Sequence, residues 1–239
     1  MPHNAIYLPI KFEILLLLKY KRVAKRKLQR FTEIGTFKNV KQLEEGKPFK
    51  GKWAKDFFAN DKPIILELAC GKGEYSVNLA KKFPDKNFIG IDYKGNRLWV
   101  GAKQAIDENI ENVGFLRIQI QQILDYFEVG EIEEIWITFP DPQAQSPLER
   151  KRLSNPDFLS KYKTILKQEG IMHLKTDNDG FYNYTLEKIA DLKLTILQQT
   201  NHVYRDFYAD EILSIKTHYE RIYLQKGKNI NYVKFKFNG

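Results

Sequence analysis

The sequence predicts an α/β fold built on a seven-stranded, mainly parallel sheet with helices on both faces. Three observations carry this. Short apolar runs recur from residue 64 onward, stretches with helical spacing separate the first five of them, and a glycine-rich turn joins the first run to the first helix. Strands divided by helices need crossover connections, which lay the strands parallel with helices above and below.

The amino-terminal part stands apart from that pattern. Residues 1–30 read as a basic extension and residues 31–239 as one domain. "ILLLL" (14–18) falls well short of the ~20 apolar residues that cross a bilayer. It also lacks the flanking signals of a secretory leader. In "KYKRVAKRKLQR" (19–30), Lys19, Lys21, Arg22, Lys25, Arg26, Lys27 and Arg30 are cations, a density that suits either a solvated tail or a nucleic-acid arm. Residues 31–62 are mixed, and Phe49, Trp53, Phe57 and Phe58 need a surface to pack on.

From Pro63 the alternation begins. "IILELA" (64–69) is apolar on both faces, as a central parallel strand must be. "EYSVNLAKKF" (74–83) has helical spacing and "NFIGIDY" (87–93) is strand-like. "NRLWVGAKQAIDEN" (96–109) returns to the helical period, and "VGFLRIQI" (113–120) and "EIWITFP" (134–140) are further strands. "PDFLSKYKTILKQ" (156–168) opens with Pro156 after the capping candidate Asn155 and stops before Gly170. "IMHLKTD" (171–177), "LTILQQT" (194–200) and "NYVKFKF" (231–237) complete the seven strands.

Composition narrows the function classes. The 239 residues carry a formal charge of +9 and are 43% hydrophobic. This balance supports a core and favours polyanionic partners. Cys70 is the only cysteine, so an intrachain disulfide and a cysteine zinc site are excluded, as expected of a reducing cytoplasm. His3, His173, His202 and His218 are scattered without metal-ligand spacing, so no metal is expected.

Two stretches carry chemistry. In "LELACGKGEYS" (66–76), Gly71 and Gly73 lie between a buried strand and a helix, where the chain must turn tightly and approach a ligand closely. Asp92 follows Gly73 by 19 residues at the end of the next strand, positioned to accept from ribose hydroxyls. A dinucleotide site would want a third glycine where Ser76 stands, and Glu67 would crowd a pyrophosphate. Those charges suit an amino group and a sulfonium, which favours S-adenosylmethionine. In "ITFPDPQAQSPLERKRL" (137–153), Pro140 and Pro142 stop a core strand around Asp141. The cations Arg150, Lys151 and Arg152 follow, suited to phosphate contact.

"ELACGKGEY", "FPDP", "HLKTDN" and "IKTHYE", in this order and spacing, resemble the bacterial tRNA (guanine-N7-)-methyltransferase family from about Lys27 to the carboxyl terminus. The resemblance implies a Rossmann-like class I methyltransferase fold, with a cofactor half at about 60–140 and substrate-facing elements over 141–239. It implies methyl transfer from S-adenosylmethionine, leaving S-adenosylhomocysteine, to N7 of a guanine in the tRNA variable loop, position 46 in tRNA numbering. Glu67 and Asp92 match the family's acidic cofactor contacts, and Asp141 matches its catalytic candidate and is expected to border the cofactor as well. Asp177, Thr217 and Glu220 match positions assigned to substrate. Partners would be tRNA and not a membrane, in a monomer or homodimer of the cytoplasm.

Two positions depart from the family pattern. Gln119 stands where an acid is common, and a glutamine still bonds an adenine edge. Where the common form reads F-P-D-P-W-P-K, this chain has Gln143-Ala144-Gln145 after Pro142. Gln145, Arg150, Lys151 and Arg152 are left as candidates for the missing lysine's contact.

Guanine N7 is an unprotonated in-plane lone pair, so its methylation requires no strong base, and no cysteine or histidine nucleophile is needed. Alignment is what the protein must supply. Base, stabiliser of the developing positive charge and reader of the guanine edge are all open to Asp141. Two other functions share parts of this pattern. An amine-directed nucleic-acid methyltransferase would want an aromatic residue where Gln143 stands. A non-catalytic basic RNA-binding module would not need the acids Glu67, Asp92 and Asp141.

Overall fold

The computed structural model describes residues 25–206 and 210–238. Among these residues eight strands form one sheet: β1 (Val40–Gln42), β2 (Ile64–Leu68), β3 (Asn87–Ile91), β4 (Val113–Arg117), β5 (Ile132–Thr138), β6 (Leu166–Thr176), β7 (Thr195–Thr200) and β8 (Asn231–Lys236). Their order is β1-β4-β3-β2-β5-β6-β8-β7. The first six strands pair in parallel, and β8 runs antiparallel between β6 and β7. The order reverses between β2 and β5, which opens a crevice above the carboxyl ends of those strands.

The predicted fold class holds, with one strand more than the seven expected. β1 is only three residues long and pairs Val40 with Phe115 on the free edge of β4. So short a segment shows no alternation, and only its tertiary partner makes it a strand.

Among the described residues six helices accompany the sheet: α1 (25–33), α2 (Glu74–Lys82), α3 (Gly95–Asp107), α4 (Pro156–Ile165), α5 (Asp179–Asp191) and α6 (His218–Gln225). Asn155 caps α4 by accepting from the Asp157 amide at 3.0 Å, and Asn178 caps α5 by accepting from Phe181 at 2.8 Å. The predicted helix over 156–168 ends early, because Leu166 already pairs with Ile132 of β5. Strand pairing overrides the local helical pattern there.

Alternate residues of the strands feed two cores. Ile64, Leu66 and Leu68 pack on the face that holds α4 and α5, while Ile65 joins Val77 of α2 and Leu98 of α3. The aromatics between residues 49 and 58 find their surface at the β4 side. Trp53 is buried, donates its indole N–H to the Tyr126 carbonyl at 2.8 Å, and stacks on Phe127.

Residues 1–24, with "ILLLL" and the cations Lys19, Lys21 and Arg22, lie outside the described residues. The rest of the basic run is helical in α1 and docks on α3. The Arg30 guanidinium lies 4.5 Å from the Trp99 ring centre, and Glu33 accepts the Trp99 indole N–H at 2.8 Å. Lys25, Arg26 and Lys27 are exposed. Among the described residues, no helix is long and apolar enough to cross a membrane.

Candidate active site

The loop between β2 and α2 runs through Gly71 and Gly73, both with left-handed backbone at φ +57° and +69°. The two glycines serve different ends. A Cβ on Gly73 would sit 2.4 Å from the Phe115 ring, whereas one on Gly71 would meet nothing within 4 Å. Gly73 lets the loop pack down on β4 and α3, while Gly71 faces open space in the crevice.

Asp92 holds the Gly71 loop in place. Its carboxylate accepts from the Gly71 amide at 3.0 Å and from the Lys94 amide at 2.8 Å. Burial raises its pKa, and those two backbone amides pull against the rise. Each carboxylate oxygen retains acceptor capacity for a ligand hydroxyl. Cys70, beside it, is buried and its thiol is pushed far up by burial; it packs as a small residue in the turn.

Glu67 is placed differently from the sequence expectation. At 3% exposure it lies beneath the crevice and lines neither cleft described below. One oxygen accepts from the Ser76 amide at 2.9 Å and hydroxyl at 2.5 Å, and the other accepts the Thr138 hydroxyl at 2.5 Å. Glu67 thus ties the start of α2 to the end of β5. Burial pushes its pKa to about 7 from 4.5, against the pull of those hydrogen bonds.

The sign of that shift gives a prediction. Folded protein keeps a proton on Glu67 that the unfolded chain releases between about pH 4.5 and 7, so the Glu67 contribution to stability falls as pH rises through that window. Glu67→Gln abolishes the titration. Its melting temperature should gain on the wild type between pH 5 and pH 8 by several degrees, read from thermal melts at both values. An equal gap at both pH values would show that Glu67 titrates normally.

Above this layer two clefts meet. One, of about 160 Å³, is lined by Gly71, Lys72, Glu74, Lys94, Arg97, Thr138 and the segment Thr217–Tyr219. The other, of about 480 Å³, has a mainly apolar floor of Ile118, Ile120, Leu153 and Phe158, with Gln119 and Lys151 at its rim. Ala69, Asp92, Tyr93, Pro140, Asp141 and Gln143 line both. Asp141 therefore stands on the wall between them, exposed, its Oδ1 accepting the Gln143 amide at 3.1 Å. Phe139 and Gln143, on either side, have left-handed backbone at φ +46° and +47°. Such conformations are costly for residues with a Cβ and concentrate at functional loops.

The remaining candidates divide. Gln119 and Lys151 reach the second cleft, and Thr217 reaches the first. Gln145 and Arg150 are exposed on the loop but line neither cleft. Arg152 is turned back: its Nε donates to the Gln143 carbonyl at 3.3 Å and its guanidinium lies 4.4 Å from the Tyr184 ring centre. It braces the Asp141 loop. Asp177 accepts from Lys228 Nζ at 2.6 Å in a separate cleft that shares no lining residue with those two. Glu220 does not reach the cleft at all, being 0% exposed and bonded to buried Lys175.

Sequence reasoning missed Glu74, Tyr93, Lys94, Arg97 and Tyr219. Glu74 accepts the His218 amide at 2.5 Å and pairs with Arg221, so it bridges the amino ends of α2 and α6. Tyr93 and Tyr219 are exposed aromatics at the cleft mouth, with Lys94 and Arg97 respectively near their rings. The available signal was positional. Tyr93 and Lys94 directly follow the strand-end acid Asp92, and Tyr219 is the aromatic of "THYE".

Among families of known proteins, the one described as "Putative methyltransferase" matches residues 61–233. A protein of Christiangramia forsetii called tRNA (guanine-N(7)-)-methyltransferase is 50% identical over 220 residues, covering 89% of this chain and 98% of that one. One of Porphyromonas gingivalis with the same name is 46% identical, covering 83% and 81%. Solved structures share the fold at low identity. An antibiotic-related methyltransferase superposes with a TM-score of 0.60 at 17% identity, over 83% of this chain and 96% of that one. A 16S rRNA (adenine(1408)-N(1))-methyltransferase of Catenulisporales acidiphilia, solved with the cosubstrate SAM, gives 0.55 at 13% identity, covering 79% and 91%.

Proposed function

This chain belongs to the tRNA (guanine-N(7)-)-methyltransferase family, and on that premise we propose that it methylates N7 of a guanine in the tRNA variable loop, position 46. The observation that carries the reading is the position of Asp141 on the wall shared by two clefts at the carboxyl ends of the strands.

The residues fit S-adenosylmethionine. The apolar floor with Gln119 at its rim suits an adenine, whose edge the amide can bond. Asp92 retains acceptors for ribose hydroxyls, and the open space above Gly71 admits the remaining tail. Where the two clefts meet, their common lining holds the carboxylates Asp92 and Asp141 and no cation, which suits a sulfonium there. When bound, S-adenosylmethionine supplies an electrophilic methyl group on sulfur.

The target base must leave its stack to enter so narrow a crevice. Asp141, Thr217 and Tyr219 line the cleft that would receive it. As N7 gains a methyl group the purine gains positive charge, and a nearby carboxylate stabilises that charge. The chain needs no general base for the transfer, because N7 carries no proton. Lys151 and Arg150, on the loop after Asp141, would grip flanking phosphates, with Gln145 beside them. Asp177 would be freed from Lys228 to meet the nucleotide. Lys25, Arg26 and Lys27 of α1 extend the cationic surface, so tRNA affinity should fall steeply between 50 and 200 mM salt.

The test is to incubate the protein with labelled S-adenosylmethionine and unmodified tRNA, then treat the product with borohydride and aniline, which cuts at N7-methylguanosine. Scission at position 46 is expected. Label without scission would point to an amine acceptor, and tight tRNA binding without label would point to a binding module.

A further inference from the structure

Lys175 and Glu220 form an ion pair at 2.7 Å in which both side chains are 0% exposed. Such a pair is expensive to bury and is weak evidence for stability, because apolar replacements often fold as well or better. Its surroundings give it another use. Lys175 Nζ also donates to the carbonyls of Leu213 at 2.6 Å and Ile215 at 3.2 Å. These precede Thr217, His218 and Tyr219, which line the first cleft. The Tyr204 hydroxyl donates to the same Glu220 oxygen at 2.6 Å. Thr217 accepts the Glu220 amide at 3.2 Å and so starts α6 directly above the pair. Lys175 lies on β6, whose neighbour β5 ends in the Asp141 loop; the Phe139 amide donates to the Lys175 carbonyl at 2.8 Å. One residue thus holds both walls, the Asp141 loop through its backbone and the Thr217–Tyr219 segment through its ammonium.

We propose that Lys175 is a positioning residue for tRNA, acting through Glu220, and that the acid of "THYE" serves from beneath the cleft rather than by touching substrate. The inference rests on the methyltransferase reading above and assigns two of its residues to a different task. Charge and hydrogen bonding set the separation between Asp141 and the Thr217–Tyr219 wall. A misplaced wall loosens the alignment of the guanine, to which transfer rates are acutely sensitive.

The experiment compares the full-length wild type with Lys175→Met, Glu220→Gln and the double variant Lys175→Met/Glu220→Leu. Melting temperature, cofactor affinity by calorimetry, and kcat and KM for tRNA are measured for each. Removing one partner strands a buried charge, so Lys175→Met should melt well below the wild type, whereas the double variant should recover most of that loss. In the double variant, kcat/KM for tRNA should fall about tenfold or more, the scale of small misplacements, while cofactor affinity stays within about twofold. Glu220→Gln keeps an oxygen for Lys175 and Tyr204 and should retain more activity than the double variant. Wild-type kcat/KM in the folded double variant would overturn the positioning role. So would a Glu220→Gln protein that melts normally yet turns over more slowly than the double variant, since the charge would then act on substrate directly. Failure of the wild type to methylate tRNA would instead refute the underlying reading.

Discussion

Replacing Asp141 with asparagine should lower kcat for tRNA methylation about a hundredfold, the usual scale for losing one preorganised electrostatic partner of a transition state. Cofactor affinity should stay within about twofold, because Asp92, Gly71 and the apolar floor of the second cleft are untouched. The exposed carboxylate makes one backbone contact, to the Gln143 amide, and an asparagine oxygen still accepts it. Loop geometry therefore survives the change and charge does not. The measurement is single-turnover methyl transfer with calorimetric cofactor binding alongside. Unchanged turnover would remove Asp141 from the chemistry. A loss confined to KM would make it a reader of the guanine edge.

The two glycines of the β2–α2 loop should separate folding from binding. A methyl group at Gly73 meets the Phe115 ring at 2.4 and 2.8 Å in left-handed backbone. Overpacking with that conformational strain should cost about 2–4 kcal/mol, which lowers the melting temperature by about 10 °C in a domain of this size. Gly71→Ala meets nothing in the protein and should cost only about 1 kcal/mol for its left-handed conformation. Its methyl group would stand in the cleft, so cofactor affinity should fall at least about tenfold. Thermal melts and calorimetry on the two variants check both halves. Equal loss of stability in the two would mean that Gly71 is as confined as Gly73.

What could be read in advance follows from the range of the interactions. The central strands were legible because a strand buried on both faces is mainly apolar, as Ile64–Leu68 is apart from Glu67. Asp92 and Asp141 were legible because each ends such a run. The inward turn of Glu67 was not, since its partners Ser76 and Thr138 lie on different elements. Nor was the burial of Glu220. Thr217 and Glu220 look like a surface pair at helical spacing, and only the fold brings Lys175, 45 residues earlier in the chain, beneath them. Arg152 reads as a phosphate grip beside Arg150 and Lys151 until Tyr184 is seen under its guanidinium.

The central claim is attack by guanine N7, and a tRNA carrying 7-deazaguanine at position 46 tests it most directly. That base keeps the Watson–Crick edge but has a C–H in place of the N7 lone pair. The expected result is tRNA binding close to that of the unsubstituted molecule with no methyl incorporation. Methyl transfer to the 7-deazaguanine tRNA at the normal rate would contradict N7 as the acceptor.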